Sequence, residues 1–361
     1  MNLVDKNLYY IGGVVRDEIL GLPSFDIDFC YEGDAIEFAK ELNVVKTNPD
    51  FGTVRVDING VEIDIASTRT ETYPKAGHLP LVDKIGCSLI EDLSRRDFTI
   101  NAMAKNTLTG EITDYFGGLV DIENKKLRVL HNKSFIDDPS RILRGLKFSI
   151  RFGFELDDNT KQLQDEYLSS INYDMSYHRI KKELKETFNL NKSEAYEKFV
   201  NQKIYKLLNK DVITPILIDT IEAERLINLY KPENIWLIYL GCYNLSNFEL
   251  TSQEKLIIDM YNEIKTKKIE SDYDIYKLFK QVPLETILMY ALFIDYEIAI
   301  KYLEQLSQIK ISITGDDLKQ LGIPQGKLYS EIFEFLEKTL VLNKNVSREE
   351  QLELVKGKYL V

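Results

Sequence analysis

The chain has 361 residues, of which 44% are hydrophobic and 29% are charged, so it is long enough for about two domains and too apolar to be disordered as a whole. Its 46 basic and 58 acidic side chains give a net charge of −12, which argues against a protein that coats nucleic acid without specificity but leaves room for a local basic groove. Three cysteines without a CxxC spacing argue against a zinc ribbon or a disulfide framework, and the lack of a secretory leader or of a run of about 18 apolar residues predicts a cytoplasmic protein without a membrane span.

The first part of the chain alternates short strands and helices. An apolar strand over residues 9–11 ends at Gly12 and Gly13, and a helix follows over residues 14–20. Residues 25–29 (FDIDF) alternate between apolar and acidic side chains, which predicts a half-buried strand. A helix over residues 34–42 comes next, with Asp34 at its N-cap.

A hairpin signal follows. Residues 53–58 and 61–66 alternate around Asn59-Gly60, a dipeptide typical of a tight β-turn. Residues 70–86 contain two prolines and two glycines, and we expect them to form a mobile loop.

From about residue 137 onward the apolar residues recur with the helical period, and we expect no strand there. The predicted fold class is therefore an α+β N-terminal domain followed by an all-helical region. The clearest candidate helices cover residues 157–168, 176–188, 193–208, 254–264 and 285–293.

Two carboxylates, Asp26 and Asp28, lie two residues apart on the predicted strand 25–29 and so share one face. Like charges this close repel each other unless a cation lies between them, and Mg²⁺ prefers one or two carboxylates together with substrate phosphates. Asp64 on the second hairpin strand completes the ligand set that two-metal phosphoryl transfer requires. Taken alone, such a pair is more often only the polar face of an amphipathic strand.

The glycines upstream change that interpretation. Gly12 and Gly13 lie at a strand-to-helix turn, where the backbone can approach a phosphate and the helix N-terminus attracts it. A lone glycine pair would indicate only a tight turn. Followed by Arg16-Asp17, the acidic pair and a further acidic strand, it resembles the nucleotidyltransferase superfamily related to DNA polymerase β.

Five motifs resemble, in order, those of the class II tRNA nucleotidyltransferase and bacterial poly(A) polymerase family. They are IGGVVRDEILG at 11–21 with FDIDF at 25–29, RRDFTINAMA at 95–104, DYFGG at 114–118, DDPSRILRGLKF at 137–148 and YHRIKKEL at 177–184. A weaker likeness to the family's tail region covers residues 313–323. The resemblance implies a polymerase β-like nucleotidyltransferase head over residues 1–136, a helical neck over 137–190, and a helical body and tail over 191–361.

The resemblance also implies roles for single side chains. Arg96 would bind the triphosphate, and Asn101 and Asp97 would hold the turn or the ribose, although Asp97 could instead be a helix N-cap. The full nucleotide-binding set that the resemblance implies is Gly12, Gly13, Arg16, Arg96, Asn101, Asp138, Arg141, Arg144 and Lys147. Lys147 stands where the family usually has an arginine, so it would supply a point charge rather than a planar fork.

Base selection is assigned by the resemblance to Asp138 and Arg141. An aspartate accepts a hydrogen bond from the exocyclic amine of cytosine or adenine, and an arginine donates to the ring acceptor beside that amine. Uracil and guanine present a carbonyl at the amine position and would be rejected. Asp138 precedes Pro139, so it also fits the N-cap of a helix, and both roles are compatible.

The expected function is addition or repair of the 3′-terminal CCA of tRNA from CTP and ATP without a nucleic-acid template. Asp26 and Asp28 would hold Mg²⁺, Asp64 would be the third catalytic carboxylate, and pyrophosphate would leave. The tRNA would lie along the neck, body and tail, and neither a membrane nor an obligate protein partner is expected.

Narrower activities stay open: a CC-adding enzyme, an A-adding enzyme or a poly(A) polymerase. Residues 69–88 are where we expect such enzymes to differ, but their sequence does not decide between them, and the lack of an extended basic C-terminus disfavours the poly(A) polymerase. A non-catalytic RNA-binding protein on a transferase fold is disfavoured by the intact Asp26, Asp28 and Asp64. Nucleotide transfer to a protein or small molecule would not need the base-selecting pair.

Overall fold

The structure is a computed structural model that describes residues 3–24 and 27–360. The chain divides into two compact units, Met1–Pro215 with Asn244–Glu249 and Ile216–Tyr243 with Leu250–Val361. The domain boundaries predicted at residues 136 and 190 both fall inside the first unit and stay predictions. Across the described part of the chain, no helix has the length and apolar character needed to cross a membrane.

The first unit contains a mixed sheet of seven strands in the order β3-β4-β5-β2-β1-β8-β9. Neighbouring strands in it are antiparallel except β2 and β5, which run parallel. The strands of the chain are β1 (Leu8–Ile11), β2 (Phe29–Tyr31), β3 (Asn43–Asn48), β4 (Thr53–Ile58), β5 (Val61–Ser67), β6 (Arg69–Thr72), β7 (Leu81–Ile85), β8 (Met103–Asn106), β9 (Ile112–Asp114), β10 (Lys126–Leu127) and β11 (Glu155–Leu156).

The β4–β5 hairpin confirms the prediction made from its turn. Asn59 and Gly60 both have positive φ angles, 58° and 85°, which is the conformation that a two-residue turn between twisted strands requires. Alternate residues of these strands, among them Val54, Val56 and Ile65, are buried in the apolar core of the sheet. This packing fixes the register, because a shift by one residue would expose the whole apolar set.

The acidic strand predicted over residues 25–29 is confirmed at Phe29, where β2 begins, and is wrong at residues 27 and 28. Ile27 and Asp28 precede β2, and Phe25 and Asp26 lie outside the described residues. The last backbone bond on this side runs from the Ile11 amide to the Asp28 carbonyl, at 3.1 Å. Beyond that bond β1 ends at Ile11, and a helix begins at Gly13.

The mobile loop predicted over residues 70–86 is also wrong, because β6 and β7 pair there as an antiparallel hairpin. Pro74, Gly77 and Pro80 all lie in the connection between the strands, and Gly86 follows β7, so none of them interrupts the pairing. The tip of the hairpin is held by backbone bonds from Gly77 N to Asp137 O, at 3.0 Å, and from Ser176 N to Gly77 O, at 2.9 Å.

Helices of the first unit pack around the sheet and continue beyond it. They are α1 (Gly13–Ile19), α2 (Ala35–Phe38), α3 (Leu89–Ser94), α4 (Gly118–Glu123), α5 (Ser134–Asp137), α6 (Ser140–Phe152), α7 (Asp158–Ser169), α8 (Tyr177–Phe188) and α9 (Ser193–Asn201). Asp34 caps α2 as predicted, accepting from the amides of Ile36 and Glu37. The expectation of no strand after residue 137 is wrong at β11, which pairs with β10 over two residues.

The described part of the second unit contains helices and no strand. Two of the predicted helices, over residues 254–264 and 285–293, are confirmed within two residues. The helices are α10 (Thr220–Tyr230), α11 (Ile235–Leu240), α12 (Ser252–Ile264), α13 (Asp272–Phe279), α14 (Leu284–Phe293), α15 (Tyr296–Lys301), α16 (Gly315–Gln320), α17 (Lys327–Leu342) and α18 (Arg348–Tyr359). An α+β head followed by a largely helical region is therefore confirmed.

Candidate active site

A cavity of about 710 Å³ lies in the first unit, between the edge of the head and the helices α6 and α8. Its walls come from the β1–α1 turn, the segment 95–101, α6, the N-terminal half of α8 and the β6–β7 hairpin. Among the described residues, ten basic and six acidic side chains line it, an excess of four positive charges in a chain of net charge −12. Such a local field attracts a polyanion of the size of a nucleotide.

The glycine turn lies against an arginine. Gly12 has a φ of +69°, and a Cβ placed there would lie 2.9 Å from Arg96 Nη1. Glycine is therefore required both by the backbone conformation and by the close approach of Arg96. Gly13 starts α1 and lines the same cavity. The predicted phosphate contacts of Gly12, Gly13 and Arg96 stay predictions.

Arg16 is buried, with 4% of its surface exposed, and it lines the cavity while its guanidinium contacts neighbouring side chains. Its Nε and Nη2 donate to Asp17 Oδ1, at 2.9 and 2.7 Å, and its Nη1 donates to Asn101 Oδ1. The guanidinium carbon lies 4.6 Å from the centre of the Phe152 ring. Burial lowers the pKa of Arg16, and the Asp17 carboxylate offsets part of that effect. The predicted nucleotide contact of Arg16 would have to form beside these bonds.

Asp97 links Asn101, which is bonded to Arg16, to Arg144 of helix α6. Its Oδ1 accepts from Asn101 Nδ2, at 2.9 Å, and its Oδ2 accepts from Arg144 Nε, at 2.6 Å. Burial alone would raise the pKa of this carboxyl, but Arg144 and Asn101 outweigh burial and lower it below its ordinary value. The N-cap position of the following 3₁₀ turn is Phe98 rather than Asp97, so the predicted capping role is wrong. Asp97 instead holds the turn, since its Oδ1 also accepts from the Phe98 amide, at 2.8 Å.

Arg144 and Lys147 of α6 both contact acidic residues of α8. Arg144 Nη1 lies 3.2 Å from Glu183 Oε1, and Lys147 Nζ lies 2.6 Å from Glu183 Oε2 and 2.5 Å from Glu186 Oε2. Both basic side chains also line the cavity. Their predicted nucleotide contacts stay predictions. In the structure each of the two basic side chains is already paired with a carboxylate of the neighbouring helix α8.

Asp92 anchors two arginines of the second motif. Arg95 donates to Asp92 Oδ1 through Nε and Nη2, at 3.1 and 2.8 Å, and Arg96 Nη2 donates to Asp92 Oδ2, at 3.1 Å. Burial would raise the pKa of Asp92, but the two arginines outweigh it and lower the pKa. The Nε atom of Arg96 is buried and has no hydrogen-bond partner among the described residues. Sequence reasoning missed Arg95, although it stands next to Arg96 in the quoted motif.

The predicted base-selecting pair lies at the start of α6. Asp138 is 4% exposed and has extended backbone angles, and its Oδ1 accepts from the Ser140 amide and hydroxyl, at 3.1 and 2.5 Å. Asp138 thus makes the side-chain bond of an N-cap, as predicted, although α6 begins at Ser140 and the residue at its cap position is Pro139, which has helical backbone angles. Arg141 donates to Ser134 Oγ, at 2.7 Å, and to the Arg95 carbonyl, at 2.8 Å. Its Nε lies 3.9 Å from Asp138 Oδ2.

Two further residues complete this corner of the cavity, and sequence reasoning assigned neither. Arg179 of α8 donates to Asp138 Oδ2 in a short ion pair, and Tyr73 of the β6–β7 hairpin lies with its hydroxyl 3.4 Å from Arg141 Nη2. The fifth motif contains Arg179, and the spacing of Arg179, Lys182 and Glu183 places them on one side of a helix, which was the available signal. No comparable signal pointed to Tyr73.

The predicted metal ligands lie at the edge of the sheet. Asp28 is exposed and lines both the large cavity and a second one of about 460 Å³, which Asp64 also lines. Phe29 pairs with Ile65 across β2 and β5, so Asp28 and Asp64 precede paired residues on adjacent strands. Arg55 on β4 binds both oxygens of Asp64, each at 2.7 Å. Asp26 lies outside the described residues.

Comparison with known proteins places these features in one family. Residues 8–128 match the Poly A polymerase head domain. An A-adding tRNA nucleotidyltransferase of Aquifex aeolicus is 34% identical over 92% of this chain, and one of Halalkalibacterium halodurans is 31% identical over 90%. The chain spans 44% of the Aquifex relative and 82% of the Halalkalibacterium relative. A CCA-adding enzyme of Streptococcus mutans is 39% identical over 42% of this chain.

Solved structures agree over nearly the whole length. The apo form II of a CCA-adding enzyme is 26% identical, covers 97% of this chain and 91% of its own, and has a TM-score of 0.76. A Thermotoga maritima CCA-adding enzyme complexed with tRNA is 27% identical, covers 97% and 90%, and has a TM-score of 0.72. The motifs, the cavity that gathers them and these full-length likenesses together show that the chain belongs to the class II tRNA nucleotidyltransferase and poly(A) polymerase head family.

Proposed function

We propose that this protein transfers AMP from ATP to the 3′ end of a tRNA that already ends in CC. The observation that best supports transfer of a nucleotide whose base carries an exocyclic amine is the corner of the cavity where Asp138 and Arg141 lie, because it offers one hydrogen-bond acceptor beside guanidinium donors. The choice of AMP over CMP rests on the relatives and on the β6–β7 hairpin. Adenine presents the complementary pair, an exocyclic amine and the ring nitrogen N1. The transfer forms a bond between the terminal 3′-oxygen and the α-phosphorus, and pyrophosphate leaves.

Base selection follows from the hydrogen-bond acceptor position that remains unoccupied on Asp138. Oδ1 already accepts two hydrogen bonds from Ser140, whereas Oδ2 accepts one from Arg179 and keeps one acceptor position. A buried carboxylate with one free acceptor position accepts an amine and repels a carbonyl oxygen. A polar pair of this kind discriminates between bases by about 1–3 kcal/mol.

The phosphates would lie toward the opposite wall, where the glycine turn, Arg96 and the basic residues of α6 converge. Carboxylate oxygens are the donors that Mg²⁺ prefers, and Asp28 and Asp64 lie at one edge of the sheet. Asp64 would bind the ion in place of its present hydrogen bonds with Arg55. We propose that Asp28 holds Mg²⁺ together with Asp64 and with Asp26. A bound Mg²⁺ lowers the pKa of the 3′-hydroxyl and neutralises charge on the phosphates.

Single-nucleotide addition, rather than addition of the full CCA, is favoured by two observations. Three relatives that are 31–34% identical over at least 90% of this chain are A-adding enzymes. In addition, the β6–β7 segment is a paired hairpin whose tip is hydrogen bonded to Asp137 and Ser176. A pocket that must accept a pyrimidine first and a purine last needs a wall that adjusts, whereas a fixed wall suits one base.

The second candidate is addition of the full CCA from CTP and ATP. It is supported by the CCA-adding structures that cover 97% of the chain. Cytosine presents the same order of amine and ring acceptor as adenine, so Asp138 and Arg141 alone do not separate the two activities.

The experiment is single-nucleotide incorporation on three tRNAs that end before, within and after the CC, with CTP and ATP offered singly and together. We expect ATP to extend the tRNA ending in CC by one residue and CTP to extend none of the three. Extension of the two shorter tRNAs by CTP would support the second candidate instead. Absence of extension on all three would contradict both, and an Asp28→Ala variant serves as the inactive control.

A further inference from the structure

Arg55 on β4 binds a carboxylate that is itself a proposed metal ligand. Its Nε and Nη2 donate to the two oxygens of Asp64, each at 2.7 Å, and its Nη1 lies 3.3 Å from Glu62 Oε2. The side chains of Arg55 and Asp64 are 45% and 59% exposed. Because the pair faces solvent, its two ions can separate and take other partners at low cost. Arg55 is therefore a bidentate but exchangeable partner of Asp64.

The strands β3, β4 and β5 align three charges in one row. Arg55 lies opposite Lys46 of β3 on one side and opposite Asp64 of β5 on the other. Residues that lie directly opposite in an antiparallel pair share a face of the sheet, and like charges in this arrangement destabilise it. Lys46 and Arg55 are therefore more stable with an anion beside them, and Asp64 now supplies that anion.

The oxygens that Asp64 shares with Arg55 are the same atoms that would bind Mg²⁺, so the guanidinium and the metal ion compete for them. An Arg55 displaced by the metal ion would be left beside Lys46 without the anion that now offsets their repulsion. A phosphate group is a suitable replacement, because a guanidinium binds two phosphate oxygens in the same planar geometry as a carboxylate.

The two cavities indicate which phosphate is within reach. Arg55 and Lys46 line the second cavity, and neither belongs to the lining of the first among the described residues. Asp28 lines both cavities, so the reacting atoms would lie where the two meet. The triphosphate is proposed to lie in the first cavity, beside the glycine turn and Arg96. The anion on the side of Arg55 is therefore the backbone of the other substrate, the RNA.

We propose that Arg55 is a positioning residue that exchanges Asp64 for the last phosphate of the tRNA 3′ end. In the free protein Arg55 holds both oxygens of Asp64 and thereby weakens metal binding. When the RNA arrives, its last phosphate takes the guanidinium together with Lys46, and Asp64 becomes available as a metal ligand. The metal site is thus completed only when the acceptor is present, so ATP is not activated without it. The inference rests on the proposed function.

The test measures the affinity of the protein for Mn²⁺, used as the probe for Mg²⁺, by electron paramagnetic resonance of the free ion and without any nucleotide. We expect Arg55→Met to bind Mn²⁺ about threefold to fivefold more tightly than the unaltered protein, because the competing exposed ion pair is gone. A saturating tRNA that ends in CC should tighten Mn²⁺ binding by the unaltered protein by a similar factor. The same tRNA should have a smaller effect on Arg55→Met, since Asp64 is already released in this variant.

Two further variants separate this competition from a general effect of charge. Arg55→Lys keeps the positive charge but lacks the planar fork, so we expect its affinity for Mn²⁺ without RNA to lie between those of the unaltered protein and Arg55→Met. Arg225→Met is the matched control, because Arg225 binds both oxygens of Glu222, at 2.6 and 2.8 Å, and its side chain is also exposed. Arg225 lies in the second unit, away from both cavities, and we expect its loss to leave Mn²⁺ binding unchanged.

An unchanged affinity for Mn²⁺ in folded Arg55→Met would overturn the proposal, and so would an equal effect of the tRNA on this variant and on the unaltered protein. Should Arg55→Met not fold, the same two comparisons with Arg55→Lys decide. A tRNA with a neutral methylphosphonate in place of its last phosphate should not tighten Mn²⁺ binding, and full tightening by it would overturn the role of the phosphate. None of these measurements requires transfer of AMP. Transfer without coupling between tRNA and Mn²⁺ would refute this inference alone, and coupling without transfer would refute the proposed function alone.

Discussion

Asp28 is the described carboxylate that we propose as a metal ligand, together with Asp64. It is exposed and precedes β2, so its side chain contributes little to packing. We expect Asp28→Ala to reduce adenosine addition by at least about 100-fold, because loss of a metal ligand removes stabilisation of several kcal/mol from the transition state. Gel-based extension of tRNA measures this, and the melting temperature should stay unchanged. Exposed Glu123 offers the control Glu123→Gln, and activity above a few percent in Asp28→Ala would refute the metal role.

A substitution of Asp138 tests whether this residue selects the base. Asp138→Asn keeps the shape of the side chain but adds an amide donor that suits the carbonyl of guanine. We therefore expect the preference for ATP over GTP to fall by about tenfold or more. The measurement is kcat/KM for each nucleotide, and Asp137→Asn, one residue earlier and outside the cavity lining, is the control. A uniformly slower variant with unchanged preference would leave Asp138 as a helix cap only.

Residue types and motif order predicted which side chains gather at the cavity, but not how they are paired. The structure places Arg16, Arg96, Asn101, Asp138, Arg141, Arg144 and Lys147 in its lining, and their binding of a nucleotide stays a prediction. Their contacts with Asp17, Asp92, Asp97 and Glu183 depend on which helices meet, and spacing along one chain carries no such information. Arg179 was missed for the same reason, since its partner lies 41 positions away.

The β6–β7 hairpin is the element whose structure differs most from its sequence-based prediction. Prolines and glycines at 74, 77, 80 and 86 indicated a loop, but they lie outside the paired positions. The Asn59-Gly60 hairpin was predicted correctly, because its turn residues separate two strands that alternate clearly. Turn residues therefore mark the connections of a hairpin and say little about whether the short flanking segments pair.

Gly77 at the tip of this hairpin provides a test of the whole element. It has a φ of +78°, and a Cβ there would lie 2.8 Å from Met175 Cβ. We expect Gly77→Ala to lower the free energy of unfolding by about 1–3 kcal/mol and to raise KM for ATP, because Tyr73 of the same hairpin contacts Arg141. Urea unfolding and steady-state kinetics measure the two effects.

Gly110 is the matched control for Gly77. Its φ is +73°, but a Cβ there would meet nothing within 4 Å, so Gly110→Ala carries only the backbone strain. We expect the Gly110→Ala variant to be less destabilised than the Gly77→Ala variant and to have the same KM for ATP as the unaltered protein. Equal effects of the two changes would show that the hairpin tip has no part in the site.

At the scale of the whole molecule, buried carboxylates paired with arginines make stability depend on pH. The folded pKa of Asp97 lies below its ordinary value, so the stabilisation by this group is present above the unfolded pKa of about 3.9 and is lost as pH falls toward the folded pKa. We expect the free energy of unfolding to fall between about pH 5 and pH 3. Asp97→Asn should be less stable at neutral pH and show a flatter dependence, as measured by urea unfolding across this range. An identical slope in both proteins would contradict the assignment.

Because the basic side chains around the cavity are paired with carboxylates, we expect a bound nucleotide to replace those carboxylates with its phosphates. Three cations that face the cavity already form ion pairs with protein carboxylates. The pairs are Arg16 with Asp17, Arg144 with Asp97, and Lys147 with Glu183. A triphosphate carries enough charge to compete with these carboxylates, whereas a single inorganic phosphate gains too little to displace them. We therefore expect a modest affinity for ATP combined with a strong preference for the triphosphate over shorter anions, so that cellular phosphate does not block the site.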